Sequence, residues 1–191
     1  GATGDLAHRK LVPALYRLAV AGQLPTDFAI VGFARRDWDD DRFRAELKGV
    51  AAEEDGPDFE AEWSQFASHV FFSPGTFDDP EGFRRLRAKL DQIDATRGTR
   101  GNRLFYLAVA PEFFATIVDQ LGQAGLIYSH PHMYRHIGGD QGCAWSRVVI
   151  EKPFGHDQES ARTLTRDLSR TLDETQIYRI DHYLGKETVQ N

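Results

Sequence analysis

Four side chains that can bind an anion or exchange a proton stand close together near residue 180. They are Asp181, His182, Tyr183 and Lys186. The imidazole, phenol and ammonium groups all donate hydrogen bonds, and two of the three can carry positive charge. Such a set suits an anionic, hydroxyl-rich ligand such as a sugar phosphate. The alternative interpretation is the capped start of a helix with charged residues on its surface.

A glycine-rich turn opens the sequence. Gly1, Gly4 and the small Ala7 have the spacing G-x-x-G-x-x-A, directly before a segment with helical periodicity. Glycines permit a tight turn and close approach of the backbone to a pyrophosphate, which the positive end of the following helix attracts. A plain loop leading into a helix is the alternative. A strand predicted over residues 28–34 follows, as a dinucleotide-binding unit requires, and we expect the first strand of that unit before Gly1.

Two arginines follow this predicted strand, where NAD-binding proteins often have an acidic residue that contacts the ribose 2′-hydroxyl. Arg35 and Arg36 carry planar guanidinium groups, which suit a 2′-phosphate instead. The predicted cofactor is therefore NADP. The alternative is a pair of solvated arginines, balanced by three nearby carboxylates. These belong to Asp37, Asp39 and Asp40.

Strand-like and helix-like segments alternate along the chain, and these elements must position the polar residues. The predicted strands cover residues 28–34, 70–72, 104–110, 148–150 and 177–180. This alternation predicts an α/β fold with a doubly wound parallel sheet. Lys152 follows the fourth predicted strand and therefore lies at the carboxyl edge of the sheet, where such folds bind ligands. Within the first helix, Pro13 predicts a kink.

The composition is that of an ordinary globular protein, with 191 residues of which 41% are hydrophobic. The net charge of −6 argues against a nucleic acid or an anionic membrane recognised by bulk charge. Cys143 is the single cysteine, so the chain forms no intrachain disulfide. No apolar run reaches the ~18 residues of a membrane span, and we expect a cytoplasmic protein.

Three motifs occur in order and at separations that resemble one known family. The segments are GATGDLAHRK, EKPFG and RIDHYLGKE, and they resemble the amino-terminal coenzyme domain of the glucose-6-phosphate dehydrogenase family. The resemblance covers nearly the whole chain, and the last motif is specific to the family. It implies a Rossmann-type domain of an oxidoreductase that converts glucose 6-phosphate to 6-phosphogluconolactone. The hydride passes to NADP in this first step of the oxidative pentose phosphate pathway.

The resemblance also implies roles for individual residues. The coenzyme would be bound by Gly1, Thr3, Gly4, Asp5, Leu6, Lys10, Arg35, Arg36 and Lys152. Lys152 would also contact the sugar, and the phosphate of glucose 6-phosphate would be held by His182, Tyr183 and Lys186. Asp181 would orient a catalytic histidine that belongs to a later motif outside this chain.

The resemblance further implies how the chain is organised. Residues 1–180 would form the NADP-binding domain, incomplete at its amino-terminal end. Residues 181–191 would begin the substrate-site segment that leads into an absent carboxy-terminal α+β domain. The full-length protein would form a homo-oligomer through that domain. Two other functions stay open, namely an NADP-binding module without turnover and a dehydrogenase of another sugar.

Several other residues have polar or aromatic side chains without a clear functional pattern. His130, His132 and His136 have a spacing compatible with metal binding, but they lie in a connection rich in proline and glycine, and the proposed chemistry uses no metal. We therefore predict no metal. Packing is the predicted role of the three tryptophans, Trp38, Trp63 and Trp145. Tyr106 is predicted either to border the adenine or ribose pocket or to lie in the core.

Overall fold

The structure is a computed structural model that describes residues 1–51, 56–128, 144–155 and 157–180. Strands and helices alternate within these ranges, as predicted. The strands are β1 (Ile30–Ala34), β2 (Val70–Pro74), β3 (Arg103–Tyr106), β4 (Ser146–Glu151) and β5 (Ile177–Ile180). The helices are α1 (Val12–Val20), α2 (Asp40–Ala51), α3 (Phe59–Ala67), α4 (Pro80–Arg97), α5 (Phe114–Gln123) and α6 (Gln158–Leu168).

The chain divides into two compact units, an amino-terminal unit (Gly1–Arg100) and a carboxy-terminal unit (Gly101–Asn191). In the amino-terminal unit β1 pairs in parallel with β2. In the carboxy-terminal unit β4 lies between β3 and β5, and both pairs are parallel. The predicted α/β class with parallel strands is confirmed. The described strands pair in parallel within each unit, two in the first and three in the second.

Helices cover both faces of the β1–β2 sheet. On one face, α1, α2 and α3 enclose an aromatic core. Its aromatic members are Tyr16, Phe43, Phe59, Trp63, Phe66 and Phe72. On the opposite face, the ring of Phe33 lies 4.9 Å from the ring of Phe83 on α4. This arrangement buries apolar side chains from both sides of the sheet, which explains the continuous apolar sequence of its strands.

Side chains close the edge of β2 that faces away from β1. Alternate residues of a parallel strand direct their backbone groups to one neighbour, and the β1–β2 register leaves Ser68, Val70, Phe72 and Pro74 on the outer edge. The bonds to that edge are Arg97 Nη2 to Ser68 O at 2.7 Å, Arg44 Nε to Val70 O at 2.9 Å, Phe72 N to Asp40 Oδ1 at 2.7 Å, and Arg85 Nη2 to Pro74 O at 3.5 Å. Proline has no N–H to leave unpaired.

The first helix starts with a wider turn than predicted. Residues Ala7–Leu11 form a π-helical turn that continues directly into α1. Pro13 lies in the first turn of α1, where its missing N–H removes one bond of the helical ladder. The π turn lies just before Pro13, and the kink predicted at Pro13 stays a prediction.

Helices α5 and α6 pack in the carboxy-terminal unit, where Phe114, Leu121 and Leu168 are almost fully buried. Asp157 caps α6, because its Oδ1 accepts the backbone N–H of Ser160 at 2.8 Å. Gln176 fixes the start of β5, since its Nε2 donates to Ser146 O at 2.9 Å. No helix in the described ranges is long and apolar enough to cross a membrane.

Candidate functional site

The glycine-rich turn is bonded to the end of β1. The backbone N–H of Ala2 donates to Phe33 O at 3.2 Å, and Gly4 N donates to Gly1 O at 2.9 Å. In the β1–β2 register, Phe33 directs its carbonyl away from β2, so the turn lies on the opposite edge of β1. The methyl group of Ala2 packs on the core, which leaves the turn fixed beside the carboxyl end of the strand.

The absence of a side chain at Gly32 allows this arrangement. A Cβ atom at Gly32 would lie 2.5 Å from Phe43 Cζ and 3.0 Å from Ala2 Cβ. The first distance is shorter than real Cβ contacts and the second is tighter than most of them, and the Phe43 ring is buried in the core. A glycine in the middle of β1 therefore permits the turn and α2 to approach the strand at the same time.

A cleft of about 590 Å³ adjoins the glycine-rich turn. The described residues lining it are Thr3, Gly4, Asp5, His8, Arg9, Pro13 and Val50. Three of these residues, Thr3, Gly4 and Asp5, are predicted coenzyme residues. Asp5 Oδ1 lies 2.7 Å from Arg9 Nε, and both side chains are largely exposed. Leu6 is half-buried, whereas Lys10 is exposed on the π turn.

Arg35 and Arg36 extend from the end of β1 into solvent. Both are exposed, and no carboxylate within the described part of the chain forms an ion pair with either. Asp39 Oδ1 instead accepts the N–H of Arg42 at 2.7 Å. Asp40 Oδ1 is bonded to the N–H of Phe72 at 2.7 Å and to Lys89 Nζ at 2.6 Å. These two carboxylates therefore stabilise α2 and its surroundings and do not neutralise the two arginines.

Trp38 has neighbours that the sequence interpretation missed. Its ring lies 6.0 Å from the Phe72 ring, which agrees with the predicted packing role. Its ring is also approached by two cations, with Arg36 Cζ at 6.0 Å and Arg42 Cζ at 5.7 Å from the centroid. The spacing of Trp38 and Arg42, four residues apart at the start of a helix, was the available signal.

The carboxyl ends of β3, β4 and β5 meet in the carboxy-terminal unit. The hydroxyl group of Tyr106 on β3 donates a hydrogen bond to the carboxylate of Glu151 on β4. Burial and this bond to Glu151 raise the pKa of Tyr106 well above its ordinary value of 10. Lys152 is exposed directly after Glu151, and its backbone N–H donates to Ile180 O at 3.4 Å.

Thus Lys152 lies at the carboxyl edge of the β3–β4–β5 sheet, as predicted. Tyr106 is half-buried beside Glu151, which neither of the two predicted roles anticipated. Four predicted site residues lie outside the described residues, namely Asp181, His182, Tyr183 and Lys186. The candidate metal residues His130, His132 and His136, and the single Cys143, also lie outside them. In the described ranges, no group of three or more His, Cys, Asp or Glu residues could hold a metal ion.

The sequence model of one protein family matches the whole chain. It is described as "Glucose-6-phosphate dehydrogenase, NAD binding domain", and the match covers residues 1–191. The chain belongs to the glucose-6-phosphate dehydrogenase family. The resemblance based on the three motifs is therefore confirmed, and so are the Rossmann-type fold and the prediction of NADP as the cofactor.

Individual members of the glucose-6-phosphate dehydrogenase family agree with this assignment. The chain is 44% identical over 192 residues to glucose-6-phosphate 1-dehydrogenase from Chlamydia pneumoniae, covering 100% of this chain and 36% of the relative. It is 47% identical over 192 residues to glucose-6-phosphate 1-dehydrogenase 2 from Mycobacterium bovis, covering 100% of this chain and 35% of the relative. The chain thus spans about a third of the length of these relatives.

Solved structures of the glucose-6-phosphate dehydrogenase family share the fold. One is a glucose-6-phosphate dehydrogenase in complex with its substrate glucose 6-phosphate, with a TM-score of 0.83 and 33% identity. Another is glucose-6-phosphate 1-dehydrogenase from Mycobacterium avium, with a TM-score of 0.78 and 34% identity. Each match covers 100% of this chain and 37% of the other.

Proposed function

We propose that this chain is the coenzyme-binding part of an NADP-dependent glucose-6-phosphate dehydrogenase. One observation carries the assignment of the coenzyme site. Arg35 and Arg36, exposed and without a carboxylate partner in the described part of the chain, follow the strand whose Phe33 carbonyl holds the glycine-rich turn. Unpaired guanidinium groups beside a turn with backbone donors fit a dinucleotide that carries an extra phosphate.

The residues of the amino-terminal unit bind and orient the coenzyme in this proposal. The Gly1–Leu6 segment receives the pyrophosphate at the positive end of the first helix, and Arg35 and Arg36 bind the 2′-phosphate. Lys10 also contacts the coenzyme, and Lys152 of the carboxy-terminal unit contacts both the coenzyme and the sugar. When bound, NADP supplies the acceptor for the hydride that leaves C1 of the sugar.

The residues near the end of the chain orient the substrate. His182, Tyr183 and Lys186 bind the phosphate of glucose 6-phosphate, far from C1, and hold the sugar for reaction. Removal of the C1 hydroxyl proton by a base, together with hydride departure from C1, converts the hemiacetal to the lactone. Asp181 orients that base, a histidine of the part of the protein that this chain does not span. Positioning alone contributes up to about 7–11 kcal/mol to such reactions.

The remaining properties of the whole protein follow from the same proposal. Residues 1–180 form the NADP-binding domain, and residues 181–191 begin the substrate segment. The enzyme is a cytoplasmic homo-oligomer that binds neither nucleic acid nor membrane. A module without turnover is the second candidate, and dehydrogenase activity of the full-length protein would exclude it. A preference for an unphosphorylated sugar would instead favour a third candidate, a dehydrogenase of another sugar.

The experiment that tests the coenzyme assignment replaces Arg35 by Ala in the full-length protein. We expect the KM for NADP to rise about tenfold or more, because a charge-assisted bond to the 2′-phosphate is lost. The KM for NAD should hardly change. Arg84→Ala, which removes an exposed arginine paired with Glu81, is the matched control. Equal effects of Arg35→Ala on both coenzymes would contradict the assignment, and an Arg35→Ala/Arg36→Ala variant reveals whether Arg36 shares the phosphate.

A further inference from the structure

Trp38 connects two arginines to the hydrophobic core. Its indole ring is half-buried and packs beside Phe72, which is almost fully buried in β2. On the same ring lie the guanidinium carbons of Arg36, at 6.0 Å from the centroid, and Arg42, at 5.7 Å. A cation over an indole face is attracted by the negative face of the ring, and tryptophan provides the strongest such contact.

The segment that carries Trp38 is held on both sides. Before it, β1 is paired with β2 up to Ala34. After it, Asp39 caps α2, because its side chain accepts Arg42 N at 2.7 Å and its carbonyl accepts Phe43 N at 3.1 Å. The indole ring is therefore a fixed platform for side chains that would otherwise sample many rotamers in solvent.

Two guanidinium groups share this platform. Arg36 forms no ion pair within the described residues, and the one described for Arg42 is a long contact of 3.8 Å with Glu46. Two guanidinium groups on one ring, next to the exposed Arg35, offer charged hydrogen-bond donors that suit a phosphate. A phosphate monoester accepts such bonds more strongly than a neutral ribose hydroxyl does.

We propose that Trp38 is a positioning residue that sets the coenzyme preference by holding Arg36, with Arg42 beside it, toward the 2′-phosphate of NADP. This inference rests on the proposed function for the identity of the ligand. Trp38 itself does not touch the reacting atoms, so its replacement affects binding of the phosphorylated coenzyme and leaves the chemical step intact.

The test uses the full-length protein with Trp38→Leu, which keeps an apolar contact to Phe72 and removes the aromatic face. We expect the KM for NADP to rise about two- to fivefold, because an exposed cation–π contact typically contributes that much to binding. The kcat and the KM for NAD should not change. Trp38→Phe retains an aromatic face and should recover part of the loss. Trp145→Leu is the matched control, because Trp145 also carries a cation, with Arg147 Cζ at 4.5 Å.

A binding measurement separates this inference from the proposed reaction. Calorimetry with adenosine 2′,5′-bisphosphate and with adenosine 5′-monophosphate needs no turnover, and Trp38→Leu should weaken only the first. If the wild-type protein binds the bisphosphate but oxidises no glucose 6-phosphate, the proposed function fails while the role of Trp38 stands. Equal losses for both nucleotides, or no loss for either, would overturn the inference.

A double-mutant cycle identifies the route of the effect. If Trp38 acts through Arg36, adding a Trp38 substitution to an Arg36→Ala protein changes bisphosphate affinity less than it does in the wild type. Should Trp38→Leu fail to fold, Trp38→Phe in the same two backgrounds replaces it. Full additivity in this cycle would show that Trp38 does not hold Arg36, and the inference would be withdrawn.

Discussion

Lys89 Nζ on α4 lies 2.6 Å from Asp40 Oδ1 on α2, and this oxygen also accepts the backbone N–H of Phe72 at 2.7 Å. The two side chains are 49 residues apart in sequence and about three-quarters buried, with relative exposures of 26% and 28%. One carboxylate thus joins two helices to the outer strand of the sheet. Partial burial makes this ion pair contribute more to stability than a solvated pair would, because water screens its charges less.

Asp40→Ala should destabilise the amino-terminal unit by about 1–3 kcal/mol, because it leaves the Phe72 N–H and the Lys89 ammonium without their acceptor. Asp40→Asn keeps an acceptor oxygen and should cost less. Urea unfolding measures both. Asp41→Ala is the matched control, since Asp41 forms an exposed pair with Arg44 and its side chain is 89% exposed. If Asp41→Ala lowers the free energy of unfolding as much as Asp40→Ala does, burial is not the reason for the contribution of Asp40.

Gly32→Ala should destabilise the protein by about 1–3 kcal/mol, the usual cost of adding a methyl group to a full core. The new Cβ would displace the Phe43 ring or Ala2, so we also expect weaker binding of the coenzyme. The thermal midpoint and the affinity for NADP measure these effects. Gly49→Ala on α2, where a Cβ would meet nothing within 4 Å, is the control. A Gly32→Ala protein with wild-type stability would refute the close approach.

The part of the fold set by local sequence was predictable. Residues Ile177–Ile180 form β5 as predicted. The apolar run 104–110 predicted a strand of seven residues, whereas β3 has four. Leu107 still bonds to Val149 O, but Ala108 N turns back to Tyr106 O, which ends the strand. Burial of Leu107 keeps the sequence apolar beyond that point, so periodicity alone could not locate the end.

The candidate site was predictable where chemistry follows from residue type and position on a strand. Glycines at a strand end and Arg35 after β1 are examples of such local signals. The roles of Trp38 and Asp40 were not predictable in this way, because their partners Phe72 and Lys89 are distant in sequence. Alternatives such as charge balance by Asp40 are resolved only when the tertiary contacts of each carboxylate are known.

Tyr106→Phe should remove a phenol that ionises only at strongly alkaline pH. Burial and the bond to Glu151 raise the pKa of Tyr106 in the folded state above 10. The stabilisation from this shift is therefore complete below pH 10 and declines as the pH rises further. Absorbance of tyrosinate and alkaline unfolding measure it. Glu151→Gln, which removes the charge, should lower the pKa of Tyr106. If the stability of both variants falls with rising pH above 10 as it does in the wild type, this explanation is wrong.

Lys186→Ala in the full-length protein should reduce kcat/KM for glucose 6-phosphate far more than for free glucose. The loss of a charged partner of a phosphate costs about 2–5 kcal/mol when the pair is desolvated. Steady-state kinetics with both sugars measures the difference, and free glucose serves as the internal control. If both substrates lose activity alike, Lys186 acts at C1 or in the fold, and the phosphate assignment is wrong.

The closed outer edge of β2 also bears on how the protein resists aggregation. An open strand edge is a template on which a second chain can add its own strand. Along this edge, four of the backbone groups that such a chain would use are bonded to Arg97, Arg44, Asp40 and Arg85. An incoming strand must first displace these side chains, three of them cationic, and would still meet Pro74. The arginines that surround this edge thus act as gatekeepers against intermolecular β-pairing.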